Sequence, residues 1–163
     1  MAPRFLLVLV SLFLGSFPSP LALAADFSGR VVGISDGDTL KVMHNGNAEK
    51  IRLYGIDCPE KGQAYGNKAK QFMSQMVFGK EVTVLDHGKD NKKFNRMLGD
   101  IILPDGRILN RELVAAGLAW WYRKYAPRDT ILESLEQEAR RAKRGLWADP
   151  NPIPPWSWRK QRK

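Results

Sequence analysis

The chain reads as an α+β domain, mainly β: a small sheet or barrel with about three packed helices. Three observations predict this. Several short β-rich or alternating runs are separated by turn residues. Three other stretches switch to helical spacing, and each stops at a glycine. The 163 residues are 44% apolar and 26% charged and show no internal repeat, which suits one globular unit with its own core.

The first 24 residues stand apart from that unit. Arg4 supplies a positive start, Phe5 to Leu14 is an apolar stretch of signal-peptide length, and Ala22-Leu23-Ala24 fits the small-x-small cleavage rule. Cleavage after Ala24 is expected, delivering the chain to the periplasm or the medium. The segment carries one arginine and no acid, so a formal charge of +9 becomes +8 on the mature chain. No apolar run reaches the roughly 18–20 residues a bilayer span needs. The single cysteine, Cys58, and two separated histidines, His44 and His87, exclude a disulfide scaffold and a Cys/His zinc site.

The strand runs are expected at Gly29 to Ile34, Thr39 to Met43, Lys50 to Ile56, Glu81 to Asp86, Met97 to Leu103 and Arg107 to Leu109. Asn45-Gly46 and Pro104-Asp105-Gly106 sit between pairs of runs, where glycine permits the positive φ of a tight hairpin. Helical spacing joins Ala69, Phe72, Met73, Met76 and Val77 up to Gly79. It recurs in Leu109, Leu113, Val114 and Ala116 up to Gly117, and in Ile131, Leu135, Ala139 and Ala142 up to Gly145. Thr130 and Glu133 have capping-box spacing at the start of the last helix. The order is β-β-β-α-β-β-α-α. A domain over 25–148 is then followed by a Pro/Trp-rich basic tail, 149–163, expected to run extended and to be pinned by Trp156 and Trp158.

A positive surplus of this size favours a polyanionic partner, and Arg159 to Lys163 supply +4 of it. The chemistry concentrates in Asp36-Gly37-Asp38-Thr39, a turn entering a strand, and Asp57-Cys58-Pro59-Glu60, where a strand runs out. If the strands holding Thr39 and Arg52 pair through Asn45-Gly46, Asp38 and Asp57 lie at one end of the sheet and can converge on a hard cation. Trp120 to Tyr125 mix rings with cations, as base-stacking surfaces do, although the tryptophans also suit a core.

Asp36-Gly37-Asp38-Thr39, Ile51-Arg52-Leu53, Gly55-Ile56-Asp57-Cys58-Pro59-Glu60, Arg96, Gly117-Leu118-Ala119 and Gly145-Leu146-Trp147 occur in an order that resembles the staphylococcal nuclease-like (thermonuclease) family. The resemblance covers Phe27 to Trp147. It implies a five-stranded OB-type Greek-key barrel with packed helices. It also implies an endonuclease acting on DNA and RNA with Ca²⁺ as cofactor, with no stable protein partner, as a monomer. Asp38 and Asp57 resemble the calcium-binding carboxylates, with the Cys58 backbone carbonyl as a further ligand. Arg52 and Arg96 resemble the arginines that grip the scissile phosphate, Glu60 the general base, and Tyr125, or Tyr122 one slip away, the nucleotide-side tyrosine.

Relatives commonly carry Asp-(Lys/Arg)-Tyr-Gly-Arg where this chain has Lys92-Lys93-Phe94-Asn95-Arg96. Asn95 suits a left-handed position, and Phe94 keeps a stacking face without the phenol donor. Lys93 and Phe94 join Tyr122 and Tyr125 as candidate nucleic-acid contacts. The tail is expected to add binding and no chemistry. The alternative class is a non-catalytic OB-type module that binds nucleic acid or protein. Such a module has no need for carboxylates beside a phosphate site, so Asp38, Arg52, Asp57, Glu60 and Arg96 together favour the enzyme.

Overall fold

The computed structural model describes residues 26–90 and 94–162. The expected signal segment and Lys93 lie outside them. The chain runs β1 (Phe27–Ile34), β2 (Thr39–His44), β3 (Asn47–Leu53), β4 (Ile56–Asp57), α1 (Gly66–Val77), β5 (Glu81–Lys89), β6 (Met97–Ile102), α2 (Leu109–Ala115), β7 (Trp120–Trp121) and α3 (Thr130–Arg141). A 3₁₀ turn (Gly145–Ala148) and α4 (Pro155–Gln161) complete it. Five strands close into a barrel in the order β1-β2-β3-β6-β5. All neighbours are antiparallel except β3 and β6. This is the mainly β, OB-type barrel with packed helices that the resemblance implies. Among the described residues no helix is long and apolar enough to cross a membrane.

Alternation makes the barrel. Val31, Leu40, Val42, Ile51 and Val84 are fully buried inside it, alternating with the exposed Arg30, Val32, Lys41 and Lys50, and Thr39 at the start of β2 is buried as well. Asn45 and Gly46 both take positive φ, 48° and 79°, the two-residue turn whose twist matches that of the strands it joins. It sets the β2–β3 register with Thr39 opposite Arg52, and that register positions the site. Helix α1 buries Ala69, Met73 and Val77, the expected stripe, and gives way at Gly79 with φ 76°.

Several expectations are corrected. The run through Ile56 breaks at Gly55, whose φ of 72° turns the chain out of the barrel. Ile56 and Asp57 then pair with Trp121 and Trp120 in a separate two-stranded ladder, so Asp57 is held by a second sheet. Arg107 to Leu109 is no strand: only Ile108 bridges back, to Ile102, and Leu109 opens α2 because Leu109, Leu113 and Val114 bury together. The cap of α3 is Asp129, whose carboxylate accepts the N–H groups of Ile131 and Leu132. A charged acceptor at the positive end of the helix outcompetes the Thr130 hydroxyl. The same helix ends at Arg141, and Lys143, φ 51°, takes the left-handed position beyond it before Gly145 is reached. Gly145 instead packs its backbone against Gly117, where a β-carbon would lie 2.2 Å from the Gly117 oxygen.

The tail is the largest departure. It is non-helical through Pro154, as the prolines dictate, and then forms α4, with Pro155 at the first helical position and Arg159 and Lys160 in the last turn. Trp156 stacks on Tyr122, 5.2 Å between centroids at 8°, and meets Trp120 edge-on. Gln63 Nε2 donates to the Ile153 carbonyl at 2.6 Å. These contacts dock α4 beside the residue 57–60 turn.

Candidate active site

The site lies where β2 and β3 end, in a cavity of about 360 Å³. Its floor is three side chains. Arg52, opposite Thr39, sends Nη1 to Asp38 Oδ2 and Nη2 to Asp57 Oδ1, both at 2.8 Å. Asp38 Oδ2 also accepts the Cys58 N–H at 2.8 Å, and Oδ1 accepts the Thr39 hydroxyl at 3.2 Å. Gly37 is required for this closure, because a β-carbon there would sit 2.8 Å from the β-carbons of both Ala69 and Cys58.

Burial dominates the electrostatics. It pushes the Asp38 carboxyl up to about 7, against the lowering effect of Arg52. Burial likewise raises the Cys58 thiol well above its ordinary value, so it stays protonated and donates to the Gly37 carbonyl at 3.1 Å. The thiol turns to the Gly37 carbonyl and the Cys58 N–H to Asp38, so the residue's oxygen donor toward a cation would be its carbonyl.

Glu60 follows Pro59 at the mouth, its N–H bonded to Gln63 Oε1 at 3.0 Å. Its carboxylate faces Arg159 of α4, Nη1 to Oε1 at 2.5 Å. The same guanidinium reaches both oxygens of Asp57, Nη2 to Oδ2 at 2.8 Å and Nη1 to Oδ1 at 3.3 Å. Partial burial opposes the Arg159 charge, but the bonds to Asp57 and Glu60 outweigh it and raise the pKa. The expectation of an extended tail is thus corrected here too: α4 brings Arg159 to one side of the site.

The opposite wall carries Arg96, whose Nε and Nη2 both reach Asp90 Oδ2, at 3.0 and 2.5 Å, and whose guanidinium covers the Phe94 ring at 4.6 Å. Asn95 takes the left-handed φ of 42° that its substitution for glycine requires. Tyr122 and Tyr125 divide: Tyr122 has one face covered by Trp156, while Tyr125 is 54% exposed at the rim. Trp120 and Trp121 are buried, the core reading.

The structure thus gathers Asp38, Arg52, Asp57, Cys58, Glu60, Arg96, Phe94, Tyr122 and Tyr125 about one cavity. Sequence reasoning missed Asp90 and Arg159. Asp90 had no signal beyond its place six residues before Arg96. For Arg159 the signal was Pro155 followed by a basic last turn, a helix signature that would have folded the tail back.

The match to known proteins agrees. Residues 50–149 fit the family model described as staphylococcal nuclease homologue. The chain belongs to the staphylococcal nuclease family. Members of that family are enzymes that hydrolyse nucleic acid, and typically depend on a metal. The chain is 47% identical over 148 residues to a protein of Escherichia coli O157:H7 named an uncharacterized endonuclease, covering 91% of this chain and 93% of that one. It is 41% identical over 148 residues to a micrococcal nuclease of Shigella flexneri, covering 85% and 84%. It is 40% identical over 114 residues to a staphylococcal-like nuclease of Arabidopsis thaliana, covering 70% of this chain and 34% of that protein.

The residues fit a hard cation. Among the described residues no three His, Cys, Asp or Glu side chains converge as a metal cluster. Asp38 and Asp57 nonetheless share one guanidinium, so both carboxylates face a common point of positive charge. A cation here would use these two carboxylates, a main-chain oxygen and water, an all-oxygen set.

Proposed function

We propose that the chain is an exported, calcium-dependent nuclease that hydrolyses phosphodiester bonds of DNA and RNA to 3′-phosphorylated products. The observation that carries the reading is the meeting of Asp38, Asp57, Arg52, Arg96 and Glu60 around one cavity. Carboxylates repel a phosphodiester unless a cation intervenes, so their presence beside two arginines speaks for catalysis over simple binding. The pattern of Arg4, Phe5 to Leu14 and Ala22-Leu23-Ala24 supports export.

A phosphodiester anion repels an incoming hydroxide, so the site must neutralise the phosphate, make a nucleophile and stabilise the leaving oxygen. When bound, calcium held by Asp38, Asp57 and the Cys58 carbonyl would supply Lewis-acid neutralisation of a phosphate oxygen. Arg52, its Nη1 and Nη2 held by Asp38 and Asp57, sets a permanent positive charge and its remaining N–H groups toward the phosphate. Glu60 takes a proton from a water molecule, whose oxygen attacks phosphorus in line. The P–O5′ bond breaks with its electron pair going to the 5′ oxygen, which gains a proton from solvent. Arg96, oriented by Asp90, stabilises the pentacoordinate charge. Water is the nucleophile, so no 2′-hydroxyl is needed and both DNA and RNA are substrates. Calcium suits the site better than magnesium because a set of two carboxylates, a main-chain carbonyl and water meets its variable coordination at longer metal–oxygen distances, whereas magnesium demands near-ideal octahedral geometry.

The test is digestion of single-stranded DNA by the purified chain in Ca²⁺, in Mg²⁺ and in chelator. The expected result is rapid cutting to 3′-phosphate ends in Ca²⁺, little in Mg²⁺ and none in chelator. Cutting in chelator, equal rates in the two metals, or 5′-phosphate ends would contradict the proposal.

A further inference from the structure

Arg159 lies beyond residue 149, where the family match ends, yet its guanidinium is seated among the carboxylates of the site. We propose that Arg159 is a third active-site arginine and a displaceable one: it pairs with Asp57 and Glu60 in the cation-free protein and becomes a ligand of substrate phosphate once a divalent cation takes those carboxylates. The inference rests on the nuclease reading.

Two guanidiniums compete for one carboxylate. Asp57 Oδ1 receives Arg52 Nη2 at 2.8 Å and Arg159 Nη1 at 3.3 Å, and Asp57 Oδ2 receives Arg159 Nη2 at 2.8 Å. A cation bound through Asp57 must share or displace one of them. Arg52 projects from a barrel strand, is bonded to Asp38 as well, and its side chain is 13% exposed. Arg159 projects from a short helix at the rim, and its side chain is 41% exposed. The rim arginine is the one free to exchange, because water can solvate it during the move and no strand register restrains it.

Its helix does not depend on that ion pair. Trp156 stacks on Tyr122, and the Ile153 carbonyl takes a hydrogen bond from Gln63, so the backbone stays docked while the long side chain swings. The swing leads into the cavity, whose lining contains Arg52, Arg96 and Arg159 as its cations. Charge gives the direction. A divalent cation at Asp38 and Asp57 repels the Arg159 guanidinium that otherwise pairs with Asp57, and an incoming phosphodiester attracts it. A guanidinium released from carboxylates is suited to bidentate phosphate contact.

The experiment uses the full chain with Arg159→Gln and Arg159→Lys. Ca²⁺ alone is titrated by calorimetry without nucleic acid, and cleavage of single-stranded DNA is then measured in saturating Ca²⁺. Arg159→Gln should bind Ca²⁺ about fivefold or more tightly, since a competitor is gone. Its KM should rise about tenfold through loss of a charge-assisted contact, with Arg159→Lys intermediate. Calcium affinity that is unchanged or weaker overturns the competition, and tighter calcium with an unchanged KM overturns the phosphate role. A wild-type chain that cuts no DNA overturns the nuclease reading itself. A wild-type chain that cuts while Arg159→Gln matches it in both measurements overturns only the role of Arg159.

Discussion

The floor of the cavity and its C-terminal rim both set arginine against carboxylate, but on different supports. On the floor, Arg52 and Asp57 are held by two sheets that meet at Gly55, and Asp57 is 1% exposed. At the rim, Arg159 and Glu60 are 41% and 38% exposed, carried by a short terminal helix and a turn. Strand register fixes the floor before any ligand arrives, so the carboxylates are preorganised. The rim holds its charges in reach of water, where pairs are weak and partners exchange. The contrast assigns permanence to Asp38, Arg52 and Asp57, and adaptability to Glu60, Arg159 and Tyr125.

The comparison breaks most visibly at Arg52. Arg52→Met would leave Asp38 and Asp57 buried without their shared partner, a change that costs about 3–5 kcal/mol. Denaturant unfolding in chelator should show that loss, and Ca²⁺ should restore part of it by replacing the missing charge. Arg159→Gln in the same titration should move stability by less than about 1 kcal/mol, as a half-exposed pair does. Equal losses at the two positions would erase the distinction between floor and rim.

The two tyrosines sharpen it. Tyr125 is 54% exposed at the rim, where its ring meets Tyr122 only edge-on, so Tyr125→Ala should weaken single-stranded DNA binding in chelator by about 1–2 kcal/mol while lowering the melting temperature less than Tyr122→Ala does. Tyr122 is already covered by Trp156, so Tyr122→Ala should lower the melting temperature by loosening α4 and affect binding less. Anisotropy with a labelled oligonucleotide and a thermal melt separate the two. The reverse pattern would place base stacking on Tyr122.

Much of the floor was legible in the sequence because it is local. A turn entering a strand, an Asn-Gly hairpin and a strand end bring Asp38, Arg52 and Asp57 together within 20 residues, and period-2 alternation fixes which side chains share an end. The rim was not, because Arg159 meets Asp57 across 102 residues and no periodicity carries that contact. The prolines of the tail forbid helix only as far as Pro154; Pro155 then favours one, and the reading stopped at the prohibition. The caps of α3 failed for a related reason: Thr130 and Gly145 were plausible, but Asp129 and Lys143 satisfied the helix ends first.

The pH dependence offers a smaller effect. Burial holds the Asp38 carboxyl protonated up to about pH 7 in the cation-free protein, and a cation requires the carboxylate. Calcium affinity should therefore fall as pH drops below about 7, approaching tenfold per pH unit, and level off above it. Without calcium the raised value favours the proton in the folded state, so the contribution of Asp38 to stability is lost as pH rises through about 7. Calorimetry and unfolding across that range check both; an affinity flat with pH would show Asp38 ionised throughout.

The most direct measurement concerns Glu60, the group to which the chemistry is assigned. Glu60→Gln keeps size and shape but cannot accept the proton of water. In single-turnover cleavage of single-stranded DNA with Ca²⁺, it should fall by about 10²–10⁴-fold. Its DNA affinity, measured without turnover, should persist. A Glu60→Gln chain that cuts within about threefold of wild type would contradict the assignment and remove the proposed base from the reaction.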